Sequence, residues 1–207
     1  SGSTPGSTFT MPEGDVTCTY TNTRIQRGLT LKKTWVNGKP GDAVTATTTG
    51  LANNATVSST ADAEGDNTST GNAVSNVAGA LVTLPAEVFN TGSQSNYTTT
   101  VACVGATLSG STPGSTFTMP DGDVTCTYTN TRRSATLQFV NVWINAVVGD
   151  SINDTANGIA NSAGVALGST ANAANETDFG PVVTVYAGEV GALLQGAVTG
   201  SGSTYLQ

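Results

Sequence analysis

The chain has 207 residues, a net charge of −7 and no histidine, and only 10% of its residues are charged, against roughly 25% in an average soluble protein. An acidic surface repels phosphate backbones, which argues against nucleic acid as a partner, and the lack of histidine excludes a Ser-His-Asp or Cys-His nucleophile. Thr, Ser, Ala, Gly, Val and Asn take the place of the Glu, Lys, Arg and Gln that clothe helices, so the composition predicts an all-β chain.

Residues 1–24, SGSTPGSTFTMPEGDVTCTYTNTR, recur at 109–132 with one change, Glu13 against Asp121, at an offset of 108. Chance does not produce such a match, so the chain is read as a repeat array. Looser recurrences continue it, among them Leu29, Leu31, Trp35, Gly41, Asp42 and Gly50 against Leu137, Phe139, Trp143, Gly149, Asp150 and Gly158. Residues 1–24 are expected to be the closing hairpin of a preceding repeat. Residues 25–132 form one complete repeat, and 133–207 form a repeat without its last strands.

Within 25–132, strand-like runs lie near 29–37, 42–49, 55–61, 77–84, 96–104, 115–119 and 122–131. Turn signals such as Asn37-Gly38, Pro40-Gly41-Asp42 and Pro120-Asp121-Gly122 separate them, and the low-complexity run GDNTSTGNA reads as an exposed loop. Seven short strands without a helical period predict tandem antiparallel β-sandwich repeats of about 108 residues, immunoglobulin-like or prealbumin-like. No stretch is apolar enough to cross a bilayer as a helix; Val74 to Phe89 comes nearest, interrupted by Asn76, Pro85 and Glu87.

Alternation sets the inward faces. On the first strand Leu29, Leu31, Lys33 and Trp35 point one way, and on the last Val124, Cys126, Tyr128 and Asn130 do. Cys103 and Cys126 fall on adjacent candidate strands in phase with apolar neighbours, so they are expected to form a disulfide; buried free thiols are the alternative. Cys18 repeats Cys126 and has no partner within the chain. A disulfide implies an oxidising, extracellular location. Few residues separate Thr131 from the next expected strand near Thr136, so an elongated, semi-rigid array is expected. Arg24 or Arg27 is expected to pair with Asp121 or Asp123 at the joint between repeats, the pattern recurring with Arg132 and Arg133.

The motifs LTLKKTWVNGKPGD, PAEV, YTTTVACVG and VTCTYTNTR, taken together, resemble the prealbumin-like (Cna B-type) repeats of bacterial surface adhesins and giant repetitive surface proteins. The resemblance implies a sandwich that serves as a stalk, fibre subunit or adhesive module on a cell surface. It also implies an intramolecular isopeptide bond from a lysine on the first strand to an asparagine on the last, assisted by a carboxyl group. Lys33, Asn130 and Glu87 are the residues that fit. The competing reading puts Lys33 near a sandwich edge with its amine in water. Position 141 carries Asn where Lys33 stands in the complete repeat, so no such bond is expected there.

No catalytic residue, cofactor or metal ligand set is expected. The Asp/Asn clusters at 62–67 and 153–157 match no calcium loop and read as solvated turns. Sequons occur at Asn54, Asn67, Asn96, Asn153 and Asn175, as chance allows in a Thr-rich chain. The functional expectation is a non-catalytic structural module of an extracellular filament or stalk, its partners being copies of itself or adjacent repeats. The alternative is an adhesive module for a glycan or host protein, for which Phe89, Tyr97 and Phe179 are the aromatics outside the expected core. The unpartnered Cys18 favours a window on a longer array over subunits that exchange strands.

Overall fold

The computed structural model describes residues 6, 8–62, 65–160, 163–201 and 205. Among them are fifteen strands: β1 Gln26–Val36, β2 Ala43–Thr47, β3 Thr56–Thr60, β4 Thr68–Thr70, β5 Val74–Val77, β6 Leu81–Thr83, β7 Val88–Thr91, β8 Tyr97–Val104, β9 Thr116–Thr118, β10 Val124–Arg132, β11 Ser134–Ile144, β12 Ser151–Asn157, β13 Val165–Thr170, β14 Asn175–Tyr186 and β15 Ala192–Leu194. A 3-10 turn at Gln94–Asn96 is the one helical element described. The chain is all-β.

β1 and β10 form because their inward positions are large and their outward positions β-branched or polar. Leu29, Leu31, Lys33 and Trp35 are buried on β1, and Val124, Cys126, Tyr128 and Asn130 on β10, whose intervening residues are all Thr. The two strands lie side by side in parallel, in register from Leu29 opposite Val124 to Val36 opposite Thr131. This departs from the antiparallel sheet expected from the sequence. The first and last strands of the unit are separated by enough chain for the long crossover that parallel pairing requires. β8 then pairs antiparallel with β10, and β4 and β5 pair antiparallel with the other edge of β1.

Across the core lie β3-β2-β7 and the pair β6-β9. Leu29, Leu31, Val101, Val124, Cys126 and Tyr128 of the first layer pack with Ala46, Val57, Val82, Phe117 and Met119 of the second. A second cluster closes one end, where Trp35 meets Val44, Ala61 and Tyr97, with Phe89 against it. The Trp35 indole donates to the Ser59 hydroxyl at 2.9 Å, so its polar atom is satisfied within the core.

Three expectations about elements are corrected. GDNTSTGNA is not simply a loop, because Thr68–Thr70 is a strand bonded to β1. Gly71 ends it: a Cβ there would stand 2.1 Å from the Thr56 carbonyl oxygen. The run expected at 77–84 is broken by a turn at Ala78-Gly79, where Gly79 takes φ +84° and the backbone re-emerges as β6. Finally, residues 8–25 carry no strand and are exposed throughout, so the closing hairpin expected at 1–24 is not formed among the described residues; 1–5 and 7 lie outside them.

From Ser134 onward the pattern recurs with fewer strands. Among the described residues β11 pairs with β14, and β13-β12-β15 form the facing layer. Trp143 donates to Ser169 at 2.7 Å, as Trp35 does to Ser59. Tyr97 donates its hydroxyl to Asp42 and receives the Lys39 amide; Tyr205 does the same with Asp150 and the Val147 amide. The core is thinner: Leu137 and Phe139 of β11 are only partly buried, whereas Leu29 and Leu31 of β1 are fully enclosed.

Candidate functional site

The parallel register sets Lys33 opposite Tyr128 and Trp35 opposite Asn130. Lys33 and Asn130 therefore stand one step apart along the inward face of neighbouring strands. Glu87 arrives from the other layer, on the Pro85-Ala86-Glu87 segment just before β7. The Tyr128 hydroxyl donates to the Pro85 carbonyl at 2.9 Å and holds that segment over β10.

The Lys33 Nζ lies 3.1 and 3.2 Å from the two Glu87 carboxylate oxygens, and its side chain is 0% exposed, that of Glu87 2%. The Lys33 amine also stands 4.7 Å from the centre of the Trp35 ring. It does not reach water, so the edge reading of Lys33 is corrected. Asn130 is fully buried; its Oδ1 accepts from Thr99 at 2.6 Å, while its Nδ2 has no hydrogen bond of good geometry.

Burial dominates the electrostatics. Loss of water lowers the Lys33 amine to about 8, with Glu87 partly opposing the shift. Burial also raises the Glu87 carboxyl, against the pull of Lys33 and the Asn130 amide. Two apolar side chains of the same volume would pack here at no desolvation cost, so packing alone does not account for a lysine, a glutamate and an under-bonded asparagine together. At pH 7 about a tenth of an amine with such a pKa is neutral and nucleophilic. The arrangement has an amine, a neighbouring carboxyl that can relay a proton, and a carboxamide carbon.

The lowered pKa has a testable sign. In an Asn130→Ala chain, where Lys33 keeps a free amine, the unfolded state binds more protons than the folded one between about pH 8 and 10. Stability should therefore rise across that window by roughly 2 kcal/mol, before tyrosine ionisation reverses the slope. Urea unfolding at stepped pH measures it; a flat or falling profile would show that Lys33 is not held in the low-dielectric site.

Cys103 and Cys126 face each other directly on β8 and β10 and are bonded, with Cα atoms 4.0 Å apart. Cys18 is free and exposed. Glycans or proteins would need exposed aromatics, but Tyr97 is 2% exposed in the Trp35 cluster and Phe89 packs against it; of the three aromatics expected outside the core, Phe179 alone is open, at 67%. No cluster of three or more metal-ligating side chains occurs among the described residues.

At the pole where the chain enters β1, Arg27 pairs with Asp121, and the Gly28 amide donates to Asp123 at 2.7 Å. Both side chains of the ion pair are partly solvated, so it is worth about 0–1 kcal/mol. Arg24 meets no aspartate; it donates to the Ala78 carbonyl at 2.9 Å. Arg132 donates through Nε to the Ala187 carbonyl at 2.7 Å and lies over the Tyr186 ring, and the Arg133 carbonyl accepts the Ala187 amide. Arg27 and Asp121 pair as the sequence predicts, and beside that pair a second contact recurs: an arginine on the carbonyl of an Ala-Gly turn, Arg24 at Ala78 and Arg132 at Ala187. Side-chain charges were legible in the sequence and the placement of a backbone carbonyl was not. Comparison with protein-family models, curated proteins and solved structures finds no match to the chain.

Proposed function

We propose that the chain is a non-catalytic structural module, two prealbumin-like β-sandwich repeats in tandem, from an extracellular filament or stalk on a microbial surface. The observation that carries this reading is the buried convergence of Lys33, Glu87 and Asn130, set beside the disulfide on the same strand as Asn130. The chemistry it supports is an intramolecular amide. Neutral Lys33 Nζ attacks the Asn130 Cγ, Glu87 takes the amine proton and passes it to the departing Nδ2, and one ammonia leaves. No oxidant or cofactor is required for the balance. A unit fastened twice between its own strands suits a protein that must persist outside the cell, where chaperones and replacement are remote.

The joint supports the tandem part of the reading. A single residue, Arg133, separates β10 from β11, and the Tyr186–Gly188 turn touches Asn37 and Lys39 of the preceding unit. So short a connection limits rotation and favours an extended array. An antibody raised against the 207-residue chain tests the location: it should label intact, unpermeabilised cells of the source organism along surface projections. Labelling only after permeabilisation would refute the extracellular assignment.

A further inference from the structure

We infer that Thr99 is a catalytic residue of the Lys33–Asn130 cross-link: its hydroxyl holds the oxygen of the asparagine carboxamide and stabilises the charge that forms there when the lysine attacks. The inference rests on the amide chemistry proposed above and adds the group that opens the carboxamide carbon to attack. A carboxamide is a poor electrophile, because resonance spreads the nitrogen lone pair towards the oxygen. Lys33 brings the nucleophile and Glu87 the proton relay, and neither role polarises the carbonyl bond. A donor fixed on its oxygen does.

The backbone places Thr99 there. β8 runs antiparallel to β10 with Thr99 directly opposite Asn130. The Val101 amide points away from β10 and donates to the Ser111 carbonyl at 2.8 Å. By the two-residue alternation of the ladder, Thr99 and Asn130 then form a narrow, non-hydrogen-bonded pair, the kind whose side chains stand closest. Tyr97 and Val101 flank Thr99 on the same face and are buried, so Thr99 also faces the core. Its Oγ1 donates to the Asn130 Oδ1 at 2.6 Å, at the short end of the range for such a bond. Thr99 also lines an open cleft with Ala86, Gln94, Ser95 and Pro113, yet its hydroxyl is bonded inward.

The other end of the carboxamide fixes its orientation. An ionised Glu87 only accepts hydrogen bonds, and the Asn130 amide helps to hold that carboxyl down, so the nitrogen faces Glu87 and the oxygen faces Thr99. The leaving nitrogen thus stands against the proton carrier and the oxygen against a donor. A purely structural asparagine would have both ends served; here Oδ1 is held closely while Nδ2 lacks a bond of good geometry. In the reaction, the Nζ lone pair forms the bond to Cγ and the carbonyl π pair moves onto Oδ1, where the Thr99 O–H, keeping its proton, holds it. The pair then returns, the Cγ–Nδ2 bond breaks, and Nδ2 leaves as ammonia with the proton that Glu87 has carried from Nζ.

The test follows the 207-residue chain with Cys18→Ser through oxidising cell-free synthesis, by intact mass of samples quenched in guanidinium. One spectrum reads two changes. Loss of two hydrogens reports the Cys103–Cys126 disulfide, and so the pairing of β8 with β10; loss of ammonia reports the cross-link. Within the disulfide-bonded fraction, Thr99→Val keeps the shape, removes the donor and should slow the loss of ammonia about tenfold or more. Thr99→Ala should do the same, and it replaces the valine variant if that one forms no disulfide. Thr99→Ser keeps the donor and should stay within about threefold of the parent. A rate in the valine or alanine variant equal to the parent's would overturn the assignment. So would an equal fall in Thr99→Ser, which would make Thr99 a matter of packing. A parent chain that gains the disulfide and loses no ammonia would overturn the cross-link itself, an outcome distinct from the other two.

Discussion

The intact chain will weigh one ammonia less than its sequence, after allowance for the disulfide, and Lys33→Met will restore that mass. The triad makes this the largest single effect in the molecule. Lys33 and Asn130 are 97 positions apart, and closing a loop of that length constrains the unfolded chain by about 4–5 kcal/mol, if the cross-link acts as a disulfide of the same span would. Asn130→Ala should lose the bond as well. Glu87→Gln keeps the volume but removes the proton relay, and it should leave the mass unmodified while Lys33 and Asn130 remain in place. Mass spectrometry of the four proteins decides the matter. A wild-type mass equal to the unmodified sequence would end the isopeptide reading, and only the buried ion pair would be left to explain.

Cys103→Ala with Cys126→Ala should lower the melting of one unit and leave the other alone. The disulfide closes 23 positions, which corresponds to about 3 kcal/mol and, for a unit of this size, roughly 12–24 °C. The unit from Ser134 onward has neither cysteine nor a lysine at the position of Lys33; Asn141 there bonds Ser169 instead. Its core is also split into two small clusters. Calorimetry should therefore resolve two transitions, the lower from residues beyond 133. The double variant should move only the upper one. A single transition, or movement of the lower one, would contradict the separate stabilisation of the two units.

How much of this was legible depends on where each residue sits. Lys33 and Asn130 lie within long alternating strands, so their inward phase could be read from Leu31, Trp35, Cys126 and Tyr128. Cys103 and Cys126 were legible for the same reason. Glu87 lies in the irregular Pro85-Ala86-Glu87 segment, where no period exists to say which way a side chain points; it could be named only as a carboxyl of the right kind. The parallel pairing of β1 with β10 has no local signature, because register between strands a hundred residues apart is decided by the whole core. β4 was hidden by its composition: Thr68-Ser69-Thr70 resembles a linker, yet β-branched residues on an edge need only a partner strand, and β1 supplies one.

The parallel pairing has a mechanical consequence. The chain enters β1 at one pole and leaves β10 at the opposite one, so tension applied between those two ends would pull the two strands apart along their common axis. The eight register pairs from Leu29–Val124 to Val36–Thr131 are then loaded in shear together and cannot be peeled one by one. An amide between Lys33 and Asn130 would go further. Force arriving along β1 would cross at Lys33 and depart through Asn130, and the 96 residues between them, with eight whole strands and the disulfide, would hang beside the line of force and never extend.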